Sequence, residues 1–122
     1  MTTPADPPDS LARLTQCVLR HRDERDWGQF HTPKELAISL CVETAELLSL
    51  MQWKTGGQLE QALATNRDRV TDELADVLHS LLLLSSDLKV DLAAALEAKL
   101  TKDAAKYPVD KAKGKNLKYT EL

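Results

Sequence analysis

Two acidic residues in an otherwise uncharged stretch are the first feature of this sequence that suggests chemistry. Glu43 and Glu46 are the only charged residues between positions 36 and 53. On an α-helix, residues three apart lie on the same face, so these two negative charges repel each other. Burying them without a partner would also be costly. Their presence therefore predicts a ligand that offsets the repulsion.

A second acidic pair repeats this spacing further along the chain. Glu73 and Asp76 lie where charge disappears again, because residues 77–86 contain no Asp, Glu, Lys or Arg. Two such pairs on neighbouring apolar helices can converge on one place. Mg²⁺ binds carboxylate oxygens and keeps water or phosphate oxygens at its remaining positions. The pattern thus predicts that the four carboxylates bind Mg²⁺.

Acidic pairs with this spacing do not always bind magnesium. They are common on wet helix surfaces, so a non-catalytic helical interaction module is the competing hypothesis. Asp76 and His79 also have the carboxylate-x-x-His spacing of di-iron bundle proteins. The pair Glu43 and Glu46 contains no His, which disfavours that chemistry. His79 is then better explained as a polar residue at a bundle edge.

The elements that position these residues are predicted to be helices. The 122 residues are 43% hydrophobic but only 4% aromatic, and three of the five Pro lie among the first eight residues. An aliphatic interior with few breakers favours helices over short strands. Capping and stop signals predict four helices, over 10–26, 33–54, 66–87 and 92–106. The linker between the second and third helices has room for a short helical turn. We therefore expect an all-α four-helix bundle.

The predicted domain organisation is simple. Residues 1–9 should form a disordered lead, 10–108 the helical domain, and 109–122 a Lys-rich tail that is extended or disordered. The second and third predicted helices are apolar around most of their circumference, which requires burial on several sides. A small monomer cannot easily supply that burial, so we expect a homo-oligomer.

Charge and cysteine usage exclude several classes of protein. A net charge of −3 argues against a general nucleic-acid binder, although seven Lys lie within residues 99–122. Cys17 and Cys41 lie far apart without a zinc-binding pattern, which indicates free thiols in a reducing cytoplasm. No secretory signal is visible at the start, and the apolar run near residue 80 is too short to span a bilayer. We expect a cytoplasmic protein without a membrane partner.

Aromatic residues near the acidic pairs could bind a base. If the second helix continues to residue 54, Trp53 lies two turns beyond Glu46 on the same face, about 10 Å away. Ser80 follows Glu73 at the same interval. An indole at that distance from a carboxylate cluster suits a nucleotide whose phosphates bind at the cluster. Trp27, at the break after the first helix, is either a packing residue or a second ligand contact.

Taken in order, these motifs resemble those of the all-α nucleoside triphosphate pyrophosphohydrolases, the MazG-like family, and within it the dCTP pyrophosphatase branch. The family signature ExxE, a gap, then ExxD is present as Glu43 to Glu46 and Glu73 to Asp76, with 26 residues between the pairs. The motifs typical of the branch are ERDWGQFHTP at 24–33, QWK at 52–54, YP at 107–108 and KYTEL at 118–122. The resemblance covers nearly all of residues 11–122.

The resemblance implies roles for individual residues. The four carboxylates match the Mg²⁺ ligands of the family, and one of the pair Glu43 and Glu46 would orient the attacking water as general base. The family cleaves a nucleoside triphosphate between its α- and β-phosphates, releasing a nucleoside monophosphate and diphosphate, and it assembles as tetramers. The residues that match substrate contacts are Trp27, Gly28, Gln29, Phe30, His31, Trp53, Lys54 and Ser80.

Two departures from the pattern concern the substrate. Ser80 stands where relatives of the dCTP type can carry a Tyr near the sugar or base, which indicates a roomier pocket. Asp103 stands where relatives carry an Asn on the fourth helix. The sequence therefore favours dCTP as substrate but leaves dUTP or a modified nucleotide as an alternative.

Overall fold

The computed structural model describes residues 10–122, so the predicted N-terminal lead lies outside the described residues. All regular secondary structure in the described chain is helical, with no strand, which confirms the all-α class. It divides into two compact units, one ending at Lys89 and the other spanning Val90–Leu122. The helices are α1 Ser10–Asp23, α2 Pro33–Ser49, α3 Gly56–Thr65, α4 Arg67–Asp87, α5 Leu92–Lys106 and α6 Val109–Ala112, followed by a 3₁₀ helix over Tyr119–Glu121.

The start of α2 follows the capping signals of the sequence. Thr32 has extended backbone angles, and its hydroxyl accepts a hydrogen bond from the backbone N–H of Glu35 at 3.3 Å. Pro33 occupies the first helical position, where its missing N–H costs nothing. The register of α2 is thus fixed from its first turn, and with it the position of every side chain further along.

The end of α2 differs from the prediction. The helix stops at Ser49, five residues before the predicted end at residue 54. Trp53 has a φ of 66°, a left-handed conformation that cannot continue an α-helix. A turn closed by a hydrogen bond from the N–H of Lys54 to the carbonyl of Met51, at 3.2 Å, replaces the last predicted helical turn.

The connection to the next predicted helix contains more structure than expected. Instead of a single turn, α3 is a helix of ten residues. Asn66 joins it to α4, and its side-chain amide donates a hydrogen bond to the carbonyl of Ala62 at 2.8 Å. The boundaries of α4 agree with the predicted 66–87 within one residue.

In the first unit, α4 contacts every other helix. It packs mainly against α2 and also against α1 and α3. The buried core consists of Leu36, Leu50, Ala62, Leu82 and Leu83. An aliphatic core of this kind agrees with the composition, and it fixes α2 and α4 side by side, which positions the two acidic pairs.

The second unit begins with a capped helix. Asp91 accepts a hydrogen bond from the N–H of Ala94 at 3.1 Å, and α5 follows over the predicted residues. The Lys-rich tail was predicted to be extended or disordered, but it includes α6 and the 3₁₀ helix. The rings of Tyr107 and Tyr119 meet edge to face at 5.9 Å, and Lys106 lies over Tyr119, which holds the tail against α5.

Within residues 10–122, six α-helices in two units replace the four predicted helices, and the structure does not confirm the four-helix bundle. The predicted boundary at residue 108 stays a prediction. Across residues 10–122, no helix is both long and apolar enough to cross a membrane.

Candidate active site

Three of the four predicted carboxylates come together between α2 and α4. One side-chain oxygen from each of Glu43, Glu73 and Asp76 lies within 4.8 Å of the other two. Glu43 lies on α2, and the other two lie one helical turn apart on α4. The packing of α2 along α4 thus brings one carboxylate of the first acidic pair together with both carboxylates of the second.

The electrostatics of this cluster are unfavourable in the protein alone. The Oε2 atoms of Glu43 and Glu73 are shielded from solvent and have no hydrogen-bond partner among the described residues. The facing Glu73 carboxyl raises the pKa of Glu43 to about 7, and burial and the charges of Glu46 and Asp76 act in the same direction. Either a proton or a cation must relieve this repulsion.

Glu46 is placed differently from the other three carboxylates. It is exposed and does not belong to the group of three, although its charge acts on Glu43 one turn earlier in α2. Its own backbone carbonyl accepts a hydrogen bond from the hydroxyl of Ser49 at 2.6 Å. Glu46 therefore lies beside the cluster, where its side chain acts on Glu43 through a hydrogen bond and through its charge.

The cluster has the donor set of a hard divalent cation. Three carboxylate oxygens lie close together, and two oxygens of the same side chains lack any partner in the described chain. Mg²⁺ and Ca²⁺ prefer such oxygen ligands, whereas zinc prefers thiolates and imidazoles. His79 does not belong to the group, which leaves the di-iron hypothesis without a His ligand.

A cavity of about 170 Å³ opens beside these carboxylates. Glu43 and Asp76 form part of its wall, and the buried Ser80 forms another part. The segment before α2 contributes Trp27 and His31. Six of its lining residues were not predicted as site residues from the sequence, namely His21, Arg22, Leu36, Ser39, His79 and Leu83.

Four rings follow one another along this cavity. His79 on α4 contacts His21 on α1 edge to face, with centroids 5.7 Å apart. His21 meets Trp27 at 5.8 Å, and Trp27 meets His31 at 6.1 Å. Glu43 and Asp76 line the same cavity, which therefore combines carboxylates with a series of imidazole and indole rings.

The surroundings of His79 favour its neutral imidazole. Burial lowers the pKa of His79, and the neighbouring imidazoles of His21 and His31 lower it further, while Asp76 opposes them. A neutral imidazole carries one donor and one acceptor nitrogen. His79 can therefore accept and donate a hydrogen bond at the same time.

Backbone and ion-pair contacts hold Trp27 in place. The N–H of Trp27 donates to the carbonyl of Arg22 at 3.1 Å, and the carbonyl of Trp27 accepts from Phe30 at 2.9 Å. The guanidinium of Arg22 bonds both oxygens of Asp87 on α4, at 2.9 and 3.1 Å. This largely buried pair raises the pKa of Arg22 and ties the end of α1 to the end of α4.

The rest of the predicted contact segment does not line the cavity. Phe30 is 63% exposed, and Gln29 instead donates hydrogen bonds to Asp26. Neither of them lines the cavity, and neither does Gly28. Of the predicted segment 27–31, only its two end residues are cavity residues.

Trp53 and Lys54 do not lie where the sequence predicted. Because α2 ends at Ser49, the indole of Trp53 is not two turns along the face of Glu46, and that part of the prediction is wrong. The indole is 91% exposed. Both residues instead line a shallow, open depression of about 580 Å³ against α3.

Some cavity residues were not predicted because their contacts join segments that are far apart in the sequence. Arg22 finds its partner 65 residues away, and His21 meets His79 across two helices. Neither contact follows from the spacing within one helix. Only the packing of α1 on α4 reveals them.

Comparison with known proteins agrees with this geometry. The family model described as "MazG-like family" matches residues 38–122, which include all four carboxylates. The chain belongs to the MazG-like family. Human dCTP pyrophosphatase 1 is 41% identical to this MazG-like chain over 118 residues, covering 95% of this chain and 69% of the human protein.

Two further relatives support the assignment. Rat dCTP pyrophosphatase 1 is 38% identical over the same share of each chain. The crystal structure of a pyrophosphatase from Archaeoglobus fulgidus superposes with a TM-score of 0.79 at 34% identity, covering 87% of this MazG-like chain and 99% of that chain. The MazG-like fold is thus shared over most of both proteins.

Proposed function

We propose that this MazG-like protein is a nucleotide diphosphatase that hydrolyses dCTP to dCMP and diphosphate. The observation that carries the proposal is the cluster of Glu43, Glu73 and Asp76 beside a cavity lined by Trp27. An acidic cluster next to an aromatic wall fits a ligand with a polyanionic end and a flat base. The named activity of the mammalian relatives, 38–41% identical over most of the chain, supports dCTP as that ligand.

The divalent cation in this proposal is Mg²⁺. Glu43, Glu73 and Asp76 would hold it, with Glu46 beside them. When bound, Mg²⁺ would neutralise charge on the phosphate oxygens and on the carboxylates that face them. The carboxylates alone would repel a triphosphate, so Glu43, Glu73 and Asp76 would act on the substrate through the cation that they hold.

Glu46 is the best candidate for the general base. It lies one turn from Glu43 yet outside the group of three, and it is exposed to water. A carboxylate in that position can accept a proton from a water molecule and orient its oxygen towards the phosphate chain. The attacking water supplies the oxygen that ends on one product, and its proton passes to Glu46.

The nucleoside contacts the aromatic rings of the cavity in this proposal. Trp27 presents an indole on which a base can stack, and His31 lies beside it. The turn between Trp27 and His31 is formed by Gly28, Gln29 and Phe30. These three residues can contact the substrate only if the ligand extends beyond the cavity. Ser80 is small and buried, which leaves space for the sugar or base.

Assembly as a homotetramer is a further part of the proposal. Large apolar side chains remain exposed on both α2 and α4, namely Ile38, Val42, Leu48, Leu74 and Leu78. A second copy of the chain that covers this surface would bury it. Trp53 and Lys54 remain proposed substrate contacts only if assembly brings them to the cavity of another copy.

Base preference and cellular location belong to the same proposal. Asp103, which departs from the family pattern, forms an ion pair with Lys99 on α5. Its carboxylate therefore already has a partner within the second unit. A base other than cytosine, such as that of dUTP or a modified nucleotide, is the alternative substrate. Two exposed free thiols, Cys17 and Cys41, are compatible with the proposed cytoplasmic location.

The experiment that tests the proposal is thermal unfolding followed by a substrate panel. Mg²⁺ together with a non-hydrolysable dCTP analogue should raise the melting temperature, because both bind the native state. A panel of dCTP, dUTP, dTTP, dATP and dGTP should then give its highest kcat/KM with dCTP. An unchanged melting temperature and no hydrolysis of any nucleotide would favour the non-catalytic interaction module.

A further inference from the structure

His79 is a cavity residue to which the proposed mechanism gives no role. It lies three residues beyond Asp76 on α4, about 4.5 Å further along the helix axis. Its ring is partly buried and lines the cavity. Within the described part of the chain, neither ring nitrogen makes a hydrogen bond, and its ring contact is the edge-to-face one with His21.

The place of His79 in the series of rings indicates which part of a nucleotide it meets. His79 lies one helical turn beyond Asp76 on α4 and contacts His21, which in turn contacts Trp27. In a nucleoside triphosphate the sugar connects the phosphates to the base. If the phosphates bind at the carboxylates and the base at the indole, the sugar passes beside His79.

We propose that His79 recognises the sugar of the substrate by a hydrogen bond to its 3′-hydroxyl group. This inference rests on the proposed function, because it needs the phosphates to bind at the carboxylate cluster. A hydroxyl can donate to the acceptor nitrogen of an imidazole or accept from its N–H, so either tautomer suffices. His21 is the positioning residue, because its edge-to-face contact fixes the plane of the His79 ring.

The neighbouring residue makes this contact sterically possible. Ser80 is buried and small, and it lines the same cavity. A bulkier side chain at this position would compete with the sugar for the space beside His79. The pair His79 and Ser80 thus provides a hydrogen-bonding ring next to free volume.

The test crosses two substrates with two proteins. Wild type and His79→Phe are assayed with dCTP and with 2′,3′-dideoxy-CTP, which lacks only the 3′-hydroxyl. Phe keeps an aromatic ring against His21 but has no nitrogen. A hydrogen bond to a neutral hydroxyl contributes about 0.5–1.5 kcal/mol, so wild type should prefer dCTP by roughly three- to tenfold in kcat/KM and His79→Phe should lose that preference.

Further variants separate recognition from packing. His79→Gln retains a donor and an acceptor and should recover part of the preference for dCTP. His21→Leu should weaken the preference without removing it. The melting temperatures of all three variants serve as the control for folding, and the substrate ratio within each variant cancels any loss of active protein.

Each remaining outcome counts against the inference. Equal losses on both substrates in His79→Phe, or a wild type that does not distinguish them, would overturn the sugar contact while leaving the proposed function standing. A wild type that hydrolyses neither nucleotide would instead overturn the proposed function, and the inference with it.

Discussion

Glu43 on α2 and Glu73 on α4 face each other with carboxylate oxygens within 4.8 Å, and each has an oxygen that is shielded from solvent without a partner among the described residues. Two like charges this close are destabilising unless one is protonated or a cation lies between them. The fold thus keeps an arrangement that is unfavourable without a ligand, and the consequences can be measured.

The stability of the metal-free protein should fall as pH rises. The pKa of Glu43 is raised to about 7 by the facing Glu73, by burial and by the charges of Glu46 and Asp76. Between its ordinary pKa and this value the folded state holds a proton that the unfolded state releases. The free energy of unfolding should therefore decrease from about pH 4.5 to 7 and level off above.

Thermal unfolding of Glu43→Gln in the presence of a chelator checks this point. At pH 8 the metal-free variant should melt at a higher temperature than wild type, because the amide carries no charge. Near pH 4.5 the difference should shrink. A wild type whose melting temperature rises steadily from pH 4.5 to 8 relative to the variant would contradict the electrostatic account.

Added Mg²⁺ should reverse the sign of that pH dependence. Protons compete with the cation for the carboxylates, so Mg²⁺ should raise the melting temperature more at pH 8 than at pH 5. Once saturation is reached, each tenfold increase in free Mg²⁺ should add about 1.4 kcal/mol to the free energy of unfolding. Glu73→Gln should lose most of this stabilisation, and an equal response in wild type and variant would place the cation elsewhere.

Removal of a single carboxylate from the cluster should abolish most activity. Glu73→Gln and Asp76→Asn each remove one cation ligand of nearly the same size and shape, and kcat/KM for dCTP should fall by roughly 100-fold or more, about 2.7 kcal/mol. Asp72→Asn is the matched control, since this exposed residue lies beside Glu73 on α4 but outside the cluster. A loss of similar size in all three variants would indicate a general charge effect instead.

The ion pair of Arg22 and Asp87 should affect substrate binding as well as stability. Asp87→Asn leaves Arg22 partly unpaired in a largely buried position, which should cost about 1–3 kcal/mol in the free energy of unfolding. Because the carbonyl of Arg22 accepts from Trp27, the variant should also raise KM for dCTP more than it lowers kcat. A variant with lower stability but unchanged KM would show that the pair serves the fold alone.

Charge on the exposed apolar surface should disrupt assembly. Wild type should have a mass above that of a monomer in light scattering after size exclusion. Leu48→Glu or Leu74→Glu would place a charge in the covered surface and should shift the protein to smaller species. Ala12→Glu, at an exposed position of α1, is the control, and a monomeric wild type would contradict the proposed homotetramer.

The sequence indicated most helix boundaries and where the acidic residues meet. The spacing predicted one site for four carboxylates, and three of them, Glu43, Glu73 and Asp76, lie together because helical periodicity is regular within α2 and α4. The caps at Thr32 and Asp91 are local signals, and both act where the sequence indicated. Local chemistry therefore fixed these elements.

Other features depend on contacts between distant segments, and the sequence did not reveal them. The early end of α2 at Ser49 displaced Trp53 from its predicted face. No glycine or proline lies between the end of α2 and Gly56, so the sequence gave no strong signal for a stop at Ser49. The cavity residues His21 and His79 meet only because α1 packs on α4. Periodicity within one helix cannot indicate such a meeting.

Product analysis with dCTP tests the central claim most directly. Purified protein with Mg²⁺ should convert dCTP to equal amounts of dCMP and diphosphate, and neither a chelator-treated sample nor Asp76→Asn should do so at a comparable rate. Release of dCDP and phosphate would contradict cleavage between the α- and β-phosphates. Intact dCTP, with every other nucleotide of the panel also intact, would contradict the assignment of the carboxylate cluster as an active site.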